Sequence, residues 1–123
     1  NYYKFTQDIE DKRKELIDTI SKIKKEGLVA GYAASAKGNV LINYCGFTSK
    51  DIKYVIDDNE DKQGNFIPGT DIPVVPRLVL DKDKPKYLFI LSSNIKEDII
   101  NKTYDFKKSG GRYIWAMPNI EMI

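Results

Sequence analysis

The sequence predicts a three-layer α/β domain with a mostly parallel sheet, and three observations carry that expectation. Short apolar runs at 28–30, 52–56, 72–75, 87–91 and 112–116 alternate with stretches of helical periodicity. The run Tyr87-Leu88-Phe89-Ile90-Leu91 contains no charged position, as a parallel strand buried on both faces requires. The first run passes directly into the small-residue turn Gly31-Tyr32-Ala33-Ala34-Ser35-Ala36-Lys37-Gly38-Asn39 and then into a helix-like run, Val40 to Cys45. A strand, a tight turn and a helix N-terminus in that order leave backbone N–H groups directed at one spot, where a phosphate or carboxylate can bind.

The elements follow from local pattern. Residues 2–26 read as one amphipathic helix, with Phe5, Ile9, Leu16, Ile20 and Ile23 at helical spacing and Ile17 beside them, and Lys12, Arg13, Lys14, Lys22 and Lys24 mostly between. Lys24 and Lys25 suit the negative end of its dipole, and Gly27 is expected as its left-handed terminus. The second helix is expected to turn Val40, Leu41, Tyr44 and Cys45 to the core and to stop at Gly46, with Cys45 an inert core residue. Ile52 to Ile56 forms the next strand, and Ile72 to Val75 a short one that tolerates Pro73 at its start or on an edge. Between them, 60–76 is a long loop in which Pro68-Gly69 suits a type II turn. A weak helix near 77–80 leads to the central strand. Asn94 and Glu97 then form a capping pair for one helix carrying Ile95, Ile99, Thr103 and Phe106, with Ile100 and Tyr104, inward, ended by Gly110-Gly111. Arg112 to Ala116 is the last strand, stopped by Pro118.

Right-handed crossovers wind this order into a Rossmann-like, mostly parallel five-stranded sheet in the order 3-2-1-4-5, preceded by the long N-terminal helix. With 123 residues the chain fits one domain: residues 1–27 the leading helix and 28–118 the α/β core. The switch point then lies between the first strand and the 87–91 strand. The Ser35–Asn39 turn, Asp57–Gln63 and Ser92–Asn94 converge there on one crevice.

Composition narrows the chemistry. A net charge of +2 gives no reason to expect nucleic acid or a membrane surface. One cysteine and no histidine exclude a disulfide framework, a thiolate–imidazole zinc site and any imidazole base within these residues. No apolar run approaches the roughly 20 residues of a membrane span, and no signal-peptide pattern opens the chain, so a cytoplasmic location is expected. The chain starts without methionine inside a helical pattern, as an excised part of a longer protein would. The turn has Gly31 and Gly38 but not the third glycine of a dinucleotide fingerprint. Asp57 stands where such domains take the ribose hydroxyls, although Asp57-Asp58-Asn59 also reads as a surface turn.

Two segments in combination carry a resemblance. The Ala36-Lys37-Gly38-Asn39 turn, with Leu41, Asn43-Tyr44 and Gly46, is followed by Asp57, Asn59, Lys62-Gln63-Gly64, Pro68-Gly69-Thr70 and Ile72-Pro73. Together they resemble the C-terminal domain of S-adenosylmethionine (SAM)-dependent C-methyltransferases acting on nucleotide-linked sugars, over nearly the whole chain. The resemblance implies a longer parent chain with a zinc-binding N-terminal domain and a central SAM-binding catalytic domain. The sugar nucleotide would lie between the central and C-terminal parts. It implies no catalytic residue, metal or cofactor here, and a ligand-facing surface at Ser35, Lys37, Gly38, Asn39, Asn59, Lys62, Gln63 and Gly64. Asp57 and Asn94, read from their positions at the crevice, complete the candidate set. The partners implied are the central domain of the same chain and a sugar nucleotide. A stand-alone dinucleotide-binding domain and a protein-interaction module that uses the 60–76 loop remain alternatives.

Overall fold

The computed structural model describes residues 2–92, 96–116 and 120–123, without the side chains of Tyr2, Tyr3, Phe5 and Thr6. Asn94 and Pro118, and the capping pair built on Asn94, lie outside the described residues, as does Ile95. The elements are α1 (Tyr2–Ile23), β1 (Val29–Tyr32), α2 (Ala36–Cys45), β2 (Val55–Ile56), β3 (Val74–Val75), α3 (Leu78–Asp83), β4 (Tyr87–Ile90), α4 (Lys96–Lys102), α5 (Tyr104–Lys108), β5 (Arg112–Trp115) and β6 (Glu121–Met122). The sheet order is β3-β2-β1-β4-β5-β6. The first five strands are parallel, as the sequence predicts, and β1 pairs with β4 from Val29↔Tyr87 to Tyr32↔Ile90. β6 is an addition: it runs antiparallel to β5, with Ile114 opposite Met122. Two residues without alternation carry no periodic signal, so sequence patterning misses it.

The period-2 alternation of the strands builds a core on each face of the sheet. Val29, Tyr87, Phe89 and Ile114 pack with Leu16, Ile20 and Ile23 of α1 and with Ile42 and Cys45 of α2. Ala30, Tyr32, Leu88, Ile90, Tyr113 and Trp115 pack on the other face with Leu80, Ile99 and Phe106. β4 is buried at every position, so its apolar run meets the demand of both layers. Pro73 falls just before β3, the edge strand, where its missing N–H disrupts no ladder. Pro68-Gly69 makes the expected turn: Gly69 has φ +79° and the Thr70 N–H donates to Ile67 O at 3.0 Å.

Four local expectations are corrected. Gly27 is absent from the left-handed region; a Cβ there would stand 2.8 Å from Lys86 Cβ, so close approach explains the glycine. Ile9, expected on the inner face of α1, is exposed. The single helix expected after β4 is broken at Thr103 into α4 and α5. The Thr103 hydroxyl bonds back to Ile99 O at 2.8 Å and lies 2.6 Å from the Tyr113 hydroxyl, which anchors the break to β5. Tyr104, beside the break, is 59% exposed.

The fourth concerns α2. Its inner line is Gly38, Ile42 and Cys45, while Val40 and Tyr44 face solvent. A Cβ on Gly38 would lie 2.6 Å from both Leu91 Cβ and Leu91 O, so the closest point between α2 and the end of β4 is a glycine. Hydrophobic counting cannot see an inner face centred on a residue without a side chain. Gly46 closes the helix in the left-handed conformation, with φ 71°. Burial pushes the Cys45 thiol up to about 11, so it is a core residue rather than a nucleophile.

Candidate functional site at the sheet switch point

The turn after β1 is held by its neighbours atom by atom. Ser35 caps α2: its Oγ accepts from the Gly38 N–H at 3.0 Å and donates to Leu91 O at 2.6 Å, which joins the helix start to the end of β4. Ala33 carries φ 75°, a left-handed conformation that costs a non-glycine residue about 1–2 kcal/mol. Its cost is offset by the contacts on either side. The Ala33 N–H donates to Ile56 O at 2.7 Å and the Ala34 N–H to Asp57 Oδ2 at 2.8 Å. Lys62 Nζ donates to Ala34 O at 3.0 Å and lies 3.9 Å from Asp57 Oδ2. The Ala34 peptide groups are therefore clasped between a carboxylate and an ammonium.

The loop after β2 is folded around the same carboxylate. Asp57 Oδ1 accepts from the Asn59 N–H at 2.8 Å, and Asn59 Oδ1 accepts in turn from the Asp61 N–H at 3.0 Å. The Gln63 amide donates to Asp57 O at 2.8 Å. Gly64 adopts φ 85° and donates its N–H to Val74 O. Asp57, Asn59 and Gln63 thus complete turns by bonding nearby backbone, a role open to Asx residues and long amides alike.

A crevice of about 270 Å³ opens at the C-terminal ends of β1 and β4, lined by residues including Tyr32, Ser35, Asp57, Asp58, Lys62 and Ser92, with Asp98 and Lys102 of α4 on its far wall. Of the ten candidate residues, the structure brings Ser35, Asp57 and Lys62 to this crevice. Gly38, Asn59, Gln63 and Gly64 support its walls without lining it. Lys37 is exposed on the first turn of α2, and Asn39, on its next residues but one, has a buried side-chain oxygen with no hydrogen-bond partner among the described residues.

Tyr32, Asp98 and Lys102 escape the sequence reading, whereas Asp58 and Ser92 lie in segments expected to converge here but outside the candidate set. The Tyr32 hydroxyl donates to Asp58 Oδ2 at 3.1 Å, and Arg77 Nε approaches Asp58 Oδ1 at 3.6 Å. Burial, and next the negative charge of Asp58, push the Tyr32 hydroxyl up to about 12. Lys102 pairs with Asp98 one helical turn away at 3.5 Å. Ser92 is 7% exposed and its hydroxyl has no hydrogen-bond partner among the described residues. The i,i+4 spacing of Asp98 and Lys102 was a usable signal in the sequence; the choice of Asp58 over Asp57 was not, because the two are adjacent acids of one turn. Chemically, the crevice offers hydroxyls, three carboxylates (Asp57, Asp58 and Asp98) and two ammonium groups, Lys62 beside Asp57 and Lys102 beside Asp98. That set suits a polar ligand rich in hydroxyls. Among the described residues no cluster of histidine, cysteine or acidic side chains could hold a metal ion, and no helix is long and apolar enough to cross a membrane.

Comparison with known proteins bears on whose crevice this is. The pattern that defines the C-methyltransferase C-terminal domain family matches residues 1–118. The C-methyltransferase NovU of Streptomyces niveus is 30% identical over 123 residues, an alignment that spans 99% of this chain and 29% of NovU. The chain therefore corresponds to less than a third of that relative. With the matched pattern spanning both cores and the whole switch-point region, the chain belongs to the C-methyltransferase C-terminal domain family.

Proposed function

We propose that residues 1–123 form one domain, a non-catalytic substrate-docking part of a SAM-dependent C-methyltransferase that acts on a nucleotide-linked sugar in the cytoplasm. The observation that carries this reading is the crevice at the switch point. Pockets that engulf a drug-sized ligand run to roughly 300–1,000 Å³. A crevice of about 270 Å³ takes one moiety of a sugar nucleotide and leaves the rest for another part of a longer chain to cover. Hydroxyls at Tyr32 and Ser92 and the carboxylate of Asp58 suit sugar or ribose hydroxyls; Lys102 suits a neighbouring phosphate. Lys37 and the start of α2 extend the positive side of this surface.

SAM itself belongs, in this reading, to a central domain of the parent chain. The turn after β1 does not fit that cofactor: it carries neither the acid nor the glycine run of a SAM loop, and its Ala34 peptide groups are engaged by Asp57 and Lys62. A stand-alone dinucleotide site is disfavoured by the same contacts, because both Asp57 oxygens accept backbone N–H groups instead of waiting for a ribose.

The test is a calorimetric titration of the complete methyltransferase with a nucleoside diphosphate glucose, alongside its Lys102→Ala variant. Binding weakened about tenfold, as loss of one charged hydrogen bond produces, supports the reading. Equal affinity for the two proteins, or no binding by either, refutes it.

A further inference from the structure

We infer that the outer face of α2, together with the turn at Pro68-Gly69, is the surface on which the preceding part of the complete methyltransferase chain docks. The inference rests on the reading of this chain as one domain of a larger enzyme. It concerns a surface other than the crevice.

Val40 is 69% exposed and Tyr44, one turn on, is 42% exposed, an outward stripe on a helix whose opposite side is sealed into the core. Pro68 and Gly69 stand beside that stripe, and with Asn39 and Asn43 they line one shallow depression. Single exposed apolar side chains are ordinary, but a stripe and a turn meeting in one depression make a contiguous patch.

The patch is also preformed. The Asn43 amide donates to Pro68 O at 2.9 Å and to Asn39 O at 2.9 Å, so one side chain fixes the turn against the helix. A Cβ on Gly69 would lie 2.6 Å from Asn43 Oδ1, which shows how closely the two pieces approach. A surface held in place before contact loses little conformational entropy when it is covered.

Its occupant is indicated by chain length and by the path of α1. The chain spans 29% of its relative NovU and belongs to a family of C-terminal domains, so in such proteins most of the chain lies ahead of the segment seen here. A preceding segment enters through α1. That helix meets α2 at Tyr44: the Tyr44 hydroxyl donates to Glu10, Arg13 Nε donates to Tyr44 O at 2.9 Å, and the Arg13 guanidinium lies 5.6 Å from the Tyr44 ring centre. The turn of α1 from Glu10 to Arg13 therefore stands at the edge of this patch. A domain tethered there reaches the stripe at high effective concentration without a long linker.

The experiment uses the complete methyltransferase with single cysteines introduced by Val40→Cys or Pro68→Cys. Maleimide labelling of each is followed by peptide mass, with Leu78→Cys on the other side of the sheet as reference. Docking predicts labelling at 40 and 68 at least about tenfold slower than the same chain shows in urea, independent of protein concentration, while position 78 reacts within about threefold of its urea rate. Labelling at 40 and 68 as fast as at 78 overturns the inference. Protection that grows with protein concentration also overturns it, in favour of a second copy of the chain. Titrating the same variants with the nucleoside diphosphate glucose separates this surface from the crevice: protection without sugar-nucleotide binding keeps the docking face and removes the crevice reading.

Discussion

Asp57 and Asp58 are neighbours of one kind on one turn, yet they belong to different parts of the molecule. The Asp57 side chain is 14% exposed, with its two oxygens bonded to the Ala34 and Asn59 N–H groups; the Asp58 side chain is 45% exposed and meets the Tyr32 hydroxyl and Arg77. The first builds the floor of the crevice and the second faces its opening. A largely buried carboxylate bonded to two backbone donors is scaffold, whatever its place in a familiar motif, whereas one half exposed and met by side chains is available to a ligand.

That contrast predicts effects of different size and kind. The largest falls on the scaffold: Asp57→Ala leaves the Ala34 N–H without a partner beside a strained residue, and the loss of two charge-assisted bonds should cost about 2–4 kcal/mol of stability. Urea unfolding of the complete enzyme reads this directly, and a midpoint equal to that of the parent protein breaks the distinction. Next is Gly38→Ala, which drives a Cβ to 2.6 Å from Leu91 Cβ and Leu91 O. Overpacking there should cost about 1–3 kcal/mol, with sugar-nucleotide affinity falling only as far as the turn is displaced.

On the crevice side the effects are smaller and depend on conditions. Burial, and next the charge of Asp58, push the Tyr32 hydroxyl from its ordinary 10.0 up to about 12 in the folded chain. Its contribution to stability is complete below pH 10 and is lost as pH rises from there towards 12. Tyr32→Phe should therefore flatten the fall in stability over that alkaline window and leave the stability profile at neutral pH nearly unchanged. An unaltered alkaline profile counts against the burial of this hydroxyl. Smallest in stability is Lys37→Ala, at an exposed helix position where alanine is well tolerated. It should change the unfolding midpoint little while weakening sugar-nucleotide binding about tenfold if the start of α2 receives phosphate. Unchanged affinity confines the site to the crevice itself.

The sequence made the sheet legible because strand order follows from crossover handedness, and the both-sided burial of β4 follows from an unbroken apolar run. Convergence of the turn, the β2 loop and the end of β4 was legible for the same reason, since topology alone brings those strand ends together. What stayed hidden depends on single atoms. The inner face of α2 turns on Gly38, which has no hydrophobicity to count, so Val40 and Tyr44 were assigned to the core although they face outward. The break at Thr103 depends on a hydroxyl meeting Tyr113 from a distant strand. Family resemblance pointed to the 59–64 loop, but patterns of residues do not tell which backbone groups a side chain bonds; Asn59 Oδ1 accepts from the Asp61 N–H and the Gln63 amide donates to Asp57 O.

The account stands most directly on the affinity of the Asp58→Asn variant. In the complete methyltransferase, calorimetry with a nucleoside diphosphate glucose should show binding weakened by about tenfold, the effect of losing one charged hydrogen bond to a sugar hydroxyl, with an unfolding midpoint close to that of the parent protein. Affinity equal to that of the parent, in a variant that folds normally, would contradict the assignment of the crevice to the substrate.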